Sequence, residues 1–217
     1  MLEREFDKYI HFSFDLDGTL IDSLMLMETA WGEVNKRTGI GIPFLNYKRF
    51  IGLPFEQILV NLGIVEGVSE IKKIYFDTTA SLVQEIKLFD GAADLLERLS
   101  SRCDVYVTII TSKPTENAKS ILEIFDIPHS TLVGGDMTPF GKPFRDPFLR
   151  AEENLGIPRD LRARTIYFGD MVNDFIFTRN CEIDYCHCNF GFHGPLSKHI
   201  RSPHMSIDSL RDIIMQI

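Results

Sequence analysis

Asp15 and Asp17 stand one residue apart where the run Phe12-Ser13-Phe14 gives way to Gly18-Thr19. On a strand, residues i and i+2 point to the same side, so this pairing gathers two carboxylates where the strand ends. Two like charges about 4 Å apart repel by roughly 4 kcal/mol at an effective dielectric near 20. A metal ion, a shared proton, or both would relieve that repulsion. Three further clusters follow the same pattern. Val105–Ile110 is apolar and β-branched and leads into Thr111-Ser112. Thr131-Leu132-Val133 leads through a glycine-rich loop to Gly141-Lys142-Pro143. Thr165-Ile166-Tyr167-Phe168 leads into Gly169-Asp170, with Asp174 beyond. Each cluster has an ordinary reading as a turn, a helix cap or a surface charge. Four of them, each at the end of an apolar strand, are hard to explain by chance.

The elements that must position these residues follow from periodicity. Residues 9–14 read as a buried strand. Met27, Ala30, Trp31 and Val34 keep helical spacing, with Gly39 as a stop. A second long helix is expected over 68–87 and a shorter one over 54–62, with no strand between 22 and 88. From residue 90 helices and strands alternate. Helices are expected around Ala92–Leu99, Ala118–Phe125, Phe148–Leu155 and 172–180. A strand near 184–188 and a terminal helix near 207–215 complete the chain. Alternation of this kind implies a parallel sheet with right-handed crossovers and helices on both faces. In such sheets ligands bind beyond the carboxyl ends of the strands. The expected fold is therefore α/β, a Rossmann-like parallel sheet core with an inserted all-helical cap domain. The core takes residues 1–21 and 89–217, and the cap takes residues 22–88.

The ordered set resembles the haloacid dehalogenase-like hydrolase superfamily, within it the phosphoglycolate phosphatase-like branch. Asp15-Leu16-Asp17-Gly18-Thr19 is similar to its D-x-D-G-T motif. Thr111, Lys142-Pro143 and Gly169-Asp170-Met171-Val172-Asn173-Asp174 are similar to the other three. The resemblance implies a phosphatase acting on a small phosphorylated metabolite through an aspartyl-phosphate. It implies Asp15 as nucleophile, Asp17 as acid and then base, and Lys142 as a positive charge on the phosphate and on Asp15. Thr111 and the backbone N–H of Ser112 would bind a phosphate oxygen. Mg²⁺ would be held by Asp15, the backbone carbonyl of Asp17 and Asp170, with Asp174 supporting the metal site or orienting Lys142. A phosphomutase of the β-phosphoglucomutase type, or a silent binding protein on the same scaffold, remains open. A haloacid dehalogenase is disfavoured because Asp17 is present.

Composition narrows the partners. The net charge of −8 leaves no basic stripe for nucleic acid or a membrane surface. No apolar run has the length of a bilayer span, and Met1–Glu5 lacks a signal-peptide core. Cysteines 103, 181, 186 and 188 are few and read as free thiols of a reducing cytoplasm. Cys181, Cys186, His187, Cys188 and His193 match no common zinc spacing and read as buried structure. Tyr47, Lys48 and Arg49 are either substrate contacts or a solvated basic patch.

Overall fold

The computed structural model describes residues 6–156, 159–195 and 205–217. Six strands form one parallel sheet, in the order β5-β4-β1-β6-β7-β8. They are β1 His11–Phe14, β4 Tyr106–Ile110, β5 Thr131–Val133, β6 Thr165–Gly169, β7 Asp184–Cys188 and β8 Met205–Ile207. The central three are buried along nearly their whole length. That is why they read as continuous apolar runs rather than alternating ones. Helices α5 Ala92–Ser100, α6 Thr115–Ile124 and α9 Arg211–Ile214 contribute to the apolar cluster that holds Phe12, Phe14 and Phe168. Helices α7 Asp146–Leu155 and α8 Val172–Cys181 contribute to a second, around Tyr167 and Tyr185.

The stretch after β1 carries four helices: α1 Leu24–Thr38, α2 Phe44–Lys48, α3 Phe55–Asn61 and α4 Val68–Ser81. Their inward faces form a third apolar cluster with Trp31, Tyr47, Phe55, Ile71 and Tyr75, joined by Met171 from the start of α8. Trp31 is fully buried, and its indole N–H donates to the carbonyl of Ile42 at 2.7 Å. Burial of such a side chain contributes about 2 kcal/mol or more. Helix α1 stops at Gly39, whose φ of 72° is the left-handed conformation that glycine adopts without strain.

Three local expectations need correction. The stretch from 22 to 88 is not free of strand. β2 Ile21–Asp22 pairs antiparallel with β3 Lys87–Leu88, so the helical stretch begins and ends at adjacent strands. Two-residue strands are too short to show a period. The helix expected over 68–87 ends at Ser81, followed by a 3₁₀ turn at Val83–Glu85. The expected helix over 207–215 begins as strand β8, and helix resumes only at Arg211.

Candidate active site

Register sets the site. Phe14 pairs with Ile109 on one side and Phe168 on the other. The residues that follow these three strands therefore emerge at one rim. Asp15 N–H donates to the Phe168 carbonyl at 2.9 Å, and Thr111 N–H donates to the Val133 carbonyl at 3.0 Å. After Asp17 the chain turns at Gly18, whose φ is 88°. A Cβ on Gly18 would lie 2.4 Å from Asp170 Oδ2, so only glycine lets the first loop approach the fourth.

Lys142 reaches this rim from the loop after β5 and is 3% exposed. Its Nζ donates to Asp15 Oδ1 at 2.6 Å, to Asp174 Oδ1 at 2.7 Å and to the Tyr167 hydroxyl at 3.0 Å. All three ammonium protons are used. Tyr167 passes its own proton to the Ile110 carbonyl at 3.1 Å. Asp174 sits in the first turn of α8, where its Oδ2 accepts the Met171 N–H at 3.0 Å. Both of its oxygens therefore have protein donors.

Asp170 differs. It is fully buried, and its Oδ2 accepts the Phe192 N–H at 2.7 Å. Its Oδ1 is buried with no hydrogen-bond partner among the described residues. Oxygens of Asp15, Asp170 and Asp174 lie within 4.8 Å of one another. Burial pushes the Asp15 carboxyl up to about 7, against the pull of Lys142 and with the repulsion of Asp174 and Asp17. Burial, then Asp174 and Asp15, push Asp170 well above the usual carboxylate range. Burial works against the charge on Lys142, yet Asp15 and Asp174 outweigh it and hold the ammonium above its ordinary value. Three carboxylates against one ammonium leave 1 − 3 = −2 when all are ionised. That deficit, together with the orphaned Asp170 Oδ1, fits a hard divalent cation bound by carboxylate oxygens.

The Asp17 carboxylate lies outside this group of oxygens. It accepts the Ser23 hydroxyl at 2.5 Å and pairs with Lys113 Nζ at 3.2 Å. The Thr111 hydroxyl oxygen accepts the Lys113 N–H at 3.1 Å, which leaves the hydroxyl proton to donate. The Ser112 side chain donates to the Gly52 carbonyl of the helical segment at 2.7 Å. Above Asp15 and Asp17 lies a cavity lined also by Thr111, Ser112, Lys113, Tyr47 and Tyr75. Lys48 and Arg49 are not among its lining residues. Cys181, Cys186 and Cys188 are buried. The His187 ring nitrogens lie 2.9 Å from the Tyr185 hydroxyl and 2.9 Å from the Gly194 carbonyl.

The haloacid dehalogenase-like hydrolase family model matches residues 13–188. The chain belongs to that family. This hydrolase is 26% identical over 195 residues to phosphoglycolate phosphatase from Psychrobacter arcticus, covering 82% of this chain and 83% of the relative. It is 30% identical over 172 residues to phosphoglycolate phosphatase from Xylella fastidiosa, covering 74% and 72%. Its fold matches that of a hydrolase from Pseudomonas syringae with a TM-score of 0.82 at 24% identity, covering 95% and 96%.

Reading the motifs alone overlooks four participants in this hydrolase. Lys113 directly follows the hydroxyl pair at 111–112, and a basic residue there was a usable signal. Ser23 sits at the N-cap of α1, where a hydroxyl invites only a capping reading. Tyr167 lies in a fully buried strand, and a buried phenol needs a partner. Phe192 acts through its backbone N–H, which leaves no trace in residue type.

Proposed function

We propose that this hydrolase is a Mg²⁺-dependent phosphatase that releases phosphate from a small phosphomonoester through an aspartyl-phosphate on Asp15. The observation that carries this reading is the buried −2 deficit around Asp15 and Asp170, beside a lysine locked onto Asp15. The relatives named phosphoglycolate phosphatase support the phosphatase class.

The roles follow from the contacts. Asp15, at the end of β1 and fixed by Lys142, attacks phosphorus, and the bond from phosphorus to the leaving oxygen breaks. Asp17, held by Ser23 and Lys113, gives its proton to that oxygen. It then takes a proton from the water that attacks the acyl phosphate, which frees phosphate and restores Asp15. The Thr111 hydroxyl and the Ser112 N–H hold a phosphoryl oxygen. Lys142 stands against both Asp15 and the phosphoryl charge. Asp15, Asp170 and the Asp17 carbonyl would hold Mg²⁺. When bound, the ion supplies positive charge against these carboxylates and the phosphoryl oxygens. Asp174 orients Lys142 from behind, because its two oxygens are taken by Lys142 and Met171.

Residues 22–88 serve as the cap domain on a core of 1–21 and 89–217, excluding bulk water when the cavity is filled. The few cysteines are in keeping with a cytoplasmic site of action.

The test is phosphate release from a broad phosphomonoester panel, with Mg²⁺ and with EDTA. Release that needs the metal and disappears in Asp15→Asn is expected. Release from no substrate, or release indifferent to EDTA, overturns the reading.

A further inference from the structure

Which alcohol leaves the phosphate is written in the walls opposite Asp15. The cavity is faced from the helical segment by Met27, Tyr47, Ile51, Phe55, Tyr75 and Phe76. None of these carries a charge. The rings pack closely: Phe55 lies 4.6 Å from Tyr75 and 5.1 Å from Phe76, centroid to centroid. The two lysines at the rim are already committed, Lys142 to Asp15 and Asp174, Lys113 to Asp17. A second anionic group on the substrate would be stripped of water beside these carboxylates, with no unengaged cation lining the cavity among the described residues. Burying a charge without a partner is strongly unfavourable.

One polar feature remains in this roof. The Tyr47 and Tyr75 hydroxyl oxygens are 2.8 Å apart. Two hydroxyl protons serve a pair that needs one for its own hydrogen bond, so the second is available to an acceptor in the cavity. Burial holds both phenols above their ordinary value, which keeps them protonated.

We propose, resting on the phosphatase reading above, that the leaving group is an uncharged, largely apolar alcohol of aromatic or branched shape bearing one hydrogen-bond acceptor. A carboxylate-bearing alcohol, as in phosphoglycolate, and a polyol are both poorer fits. Apolar bodies gain from the aromatic wall, and the spare phenol proton reads the single acceptor. An empty polar socket rejects a ligand that cannot fill it more strongly than an apolar wall rejects a small change of shape.

The experiment compares benzyl phosphate, glycerol phosphate and phosphoglycolate with the Mg²⁺-loaded full chain. All three release an alkyl alcohol, which limits differences in leaving-group reactivity. We expect kcat/KM for benzyl phosphate to exceed that for phosphoglycolate by at least roughly tenfold, the range that apolar pocket contacts discriminate. Equal or faster turnover of phosphoglycolate overturns the proposal and leaves the phosphatase reading standing. Release from none of the three while other members of the broad panel are hydrolysed overturns the proposal alone, and release from no member of the panel overturns both. Two variants separate recognition from folding. Tyr75→Phe should bring the kcat/KM ratio of 4-methoxybenzyl to benzyl phosphate down to about one; an unchanged ratio in a folded variant counts against the phenol's role. Phe76→Arg puts a cation into the roof and should raise phosphoglycolate relative to benzyl phosphate by about tenfold or more. An unchanged ratio in a folded variant counts against charge exclusion by the roof.

Discussion

The two ends of the parallel sheet both bury polar side chains, and they treat them in opposite ways. At the amino end, His11 is fully buried between β4 and β6. Its Nε2 lies 2.7 Å from the Thr108 hydroxyl and its Nδ1 3.3 Å from that of Thr165. The ring stacks on Phe148. Every polar atom of the imidazole has a partner and the group is neutral. At the carboxyl end, three carboxylates crowd one ammonium, and Asp170 Oδ1 has no protein donor among the described residues. The first arrangement is complete by itself. The second is complete only with something added, so a buried charge deficit around an orphaned carboxylate oxygen, rather than burial or an orphaned hydroxyl such as that of Ser13 or Thr19, separates this rim from the amino end.

The widest separation between the ends is expected in turnover. Asp15→Asn should lower kcat by at least about 10³-fold, the scale seen when a nucleophile is removed. Its melting temperature should stay within a few degrees of wild type, because the change also relieves repulsion with Asp170 and Asp174. No amino-end substitution in a folded protein should approach that kinetic loss. Steady-state kinetics beside a thermal melt decide it, and unchanged kcat in Asp15→Asn removes the nucleophile.

Lys142→Met should break the carboxyl end in stability as well. It leaves Asp15 and Asp174 buried without their cation, a change that typically costs about 3–5 kcal/mol. Added Mg²⁺ should restore part of the loss in urea denaturation by binding the same carboxylates. A loss below about 1 kcal/mol would mean that the ammonium is not the charge holding this end together.

How much of this contrast could be read from residue types alone differs by level. The strands around the site are apolar runs, and the helices keep three-and-four spacing, so the alternation of strand and helix was legible, while the order of strands in the sheet was not. The four motif positions converge because each follows such a strand. What escaped was carried by the backbone or by length: the two-residue ladder of β2 and β3, strand β8, and the Phe192 N–H on Asp170. Lys113 on Asp17 escaped because a lone lysine has no period and no fixed partner until the fold supplies one. The amino-end network was invisible for the same reason: His11, Thr108 and Thr165 are far apart in sequence and belong to no motif.

Titration should pull the two ends in opposite directions. Burial pushes His11 down from 6.5 to about 4. The unfolded chain takes up a proton near pH 6.5 that the folded chain refuses until about pH 4. Stability from this group is therefore present above pH 6.5 and is lost as pH falls through that window, by about 3 kcal/mol for the 2.5-unit gap. Asp15 runs the other way in EDTA. Its folded value of about 7 lies above the ordinary 3.8, so its contribution is present at low pH and fades as pH rises through 7. In urea titrations across pH 4–7, His11→Gln should flatten the acid-side loss and Asp15→Asn the neutral-side loss. Identical pH profiles in both variants would erase the distinction between the two ends.

Ser112 gives the finest test, because it stands at the carboxyl end yet is satisfied. Its hydroxyl donates to the Gly52 carbonyl at 2.7 Å, in the turn of the helical segment that also holds the buried Ile51. If an unfinished network marks the catalytic groups, Ser112→Ala should behave like a structural change despite its address. The backbone N–H assigned to the phosphate is untouched by the substitution. The expected cost is about 1 kcal/mol of stability, the usual net worth of one such hydrogen bond. In kinetics the effect should stay below about tenfold and fall mainly on KM, since the bond ties the helical segment to the rim without touching the reacting atoms. A loss comparable to that of Asp15→Asn would mean that proximity to the rim, and not the missing partner, decides which residues the reaction depends on.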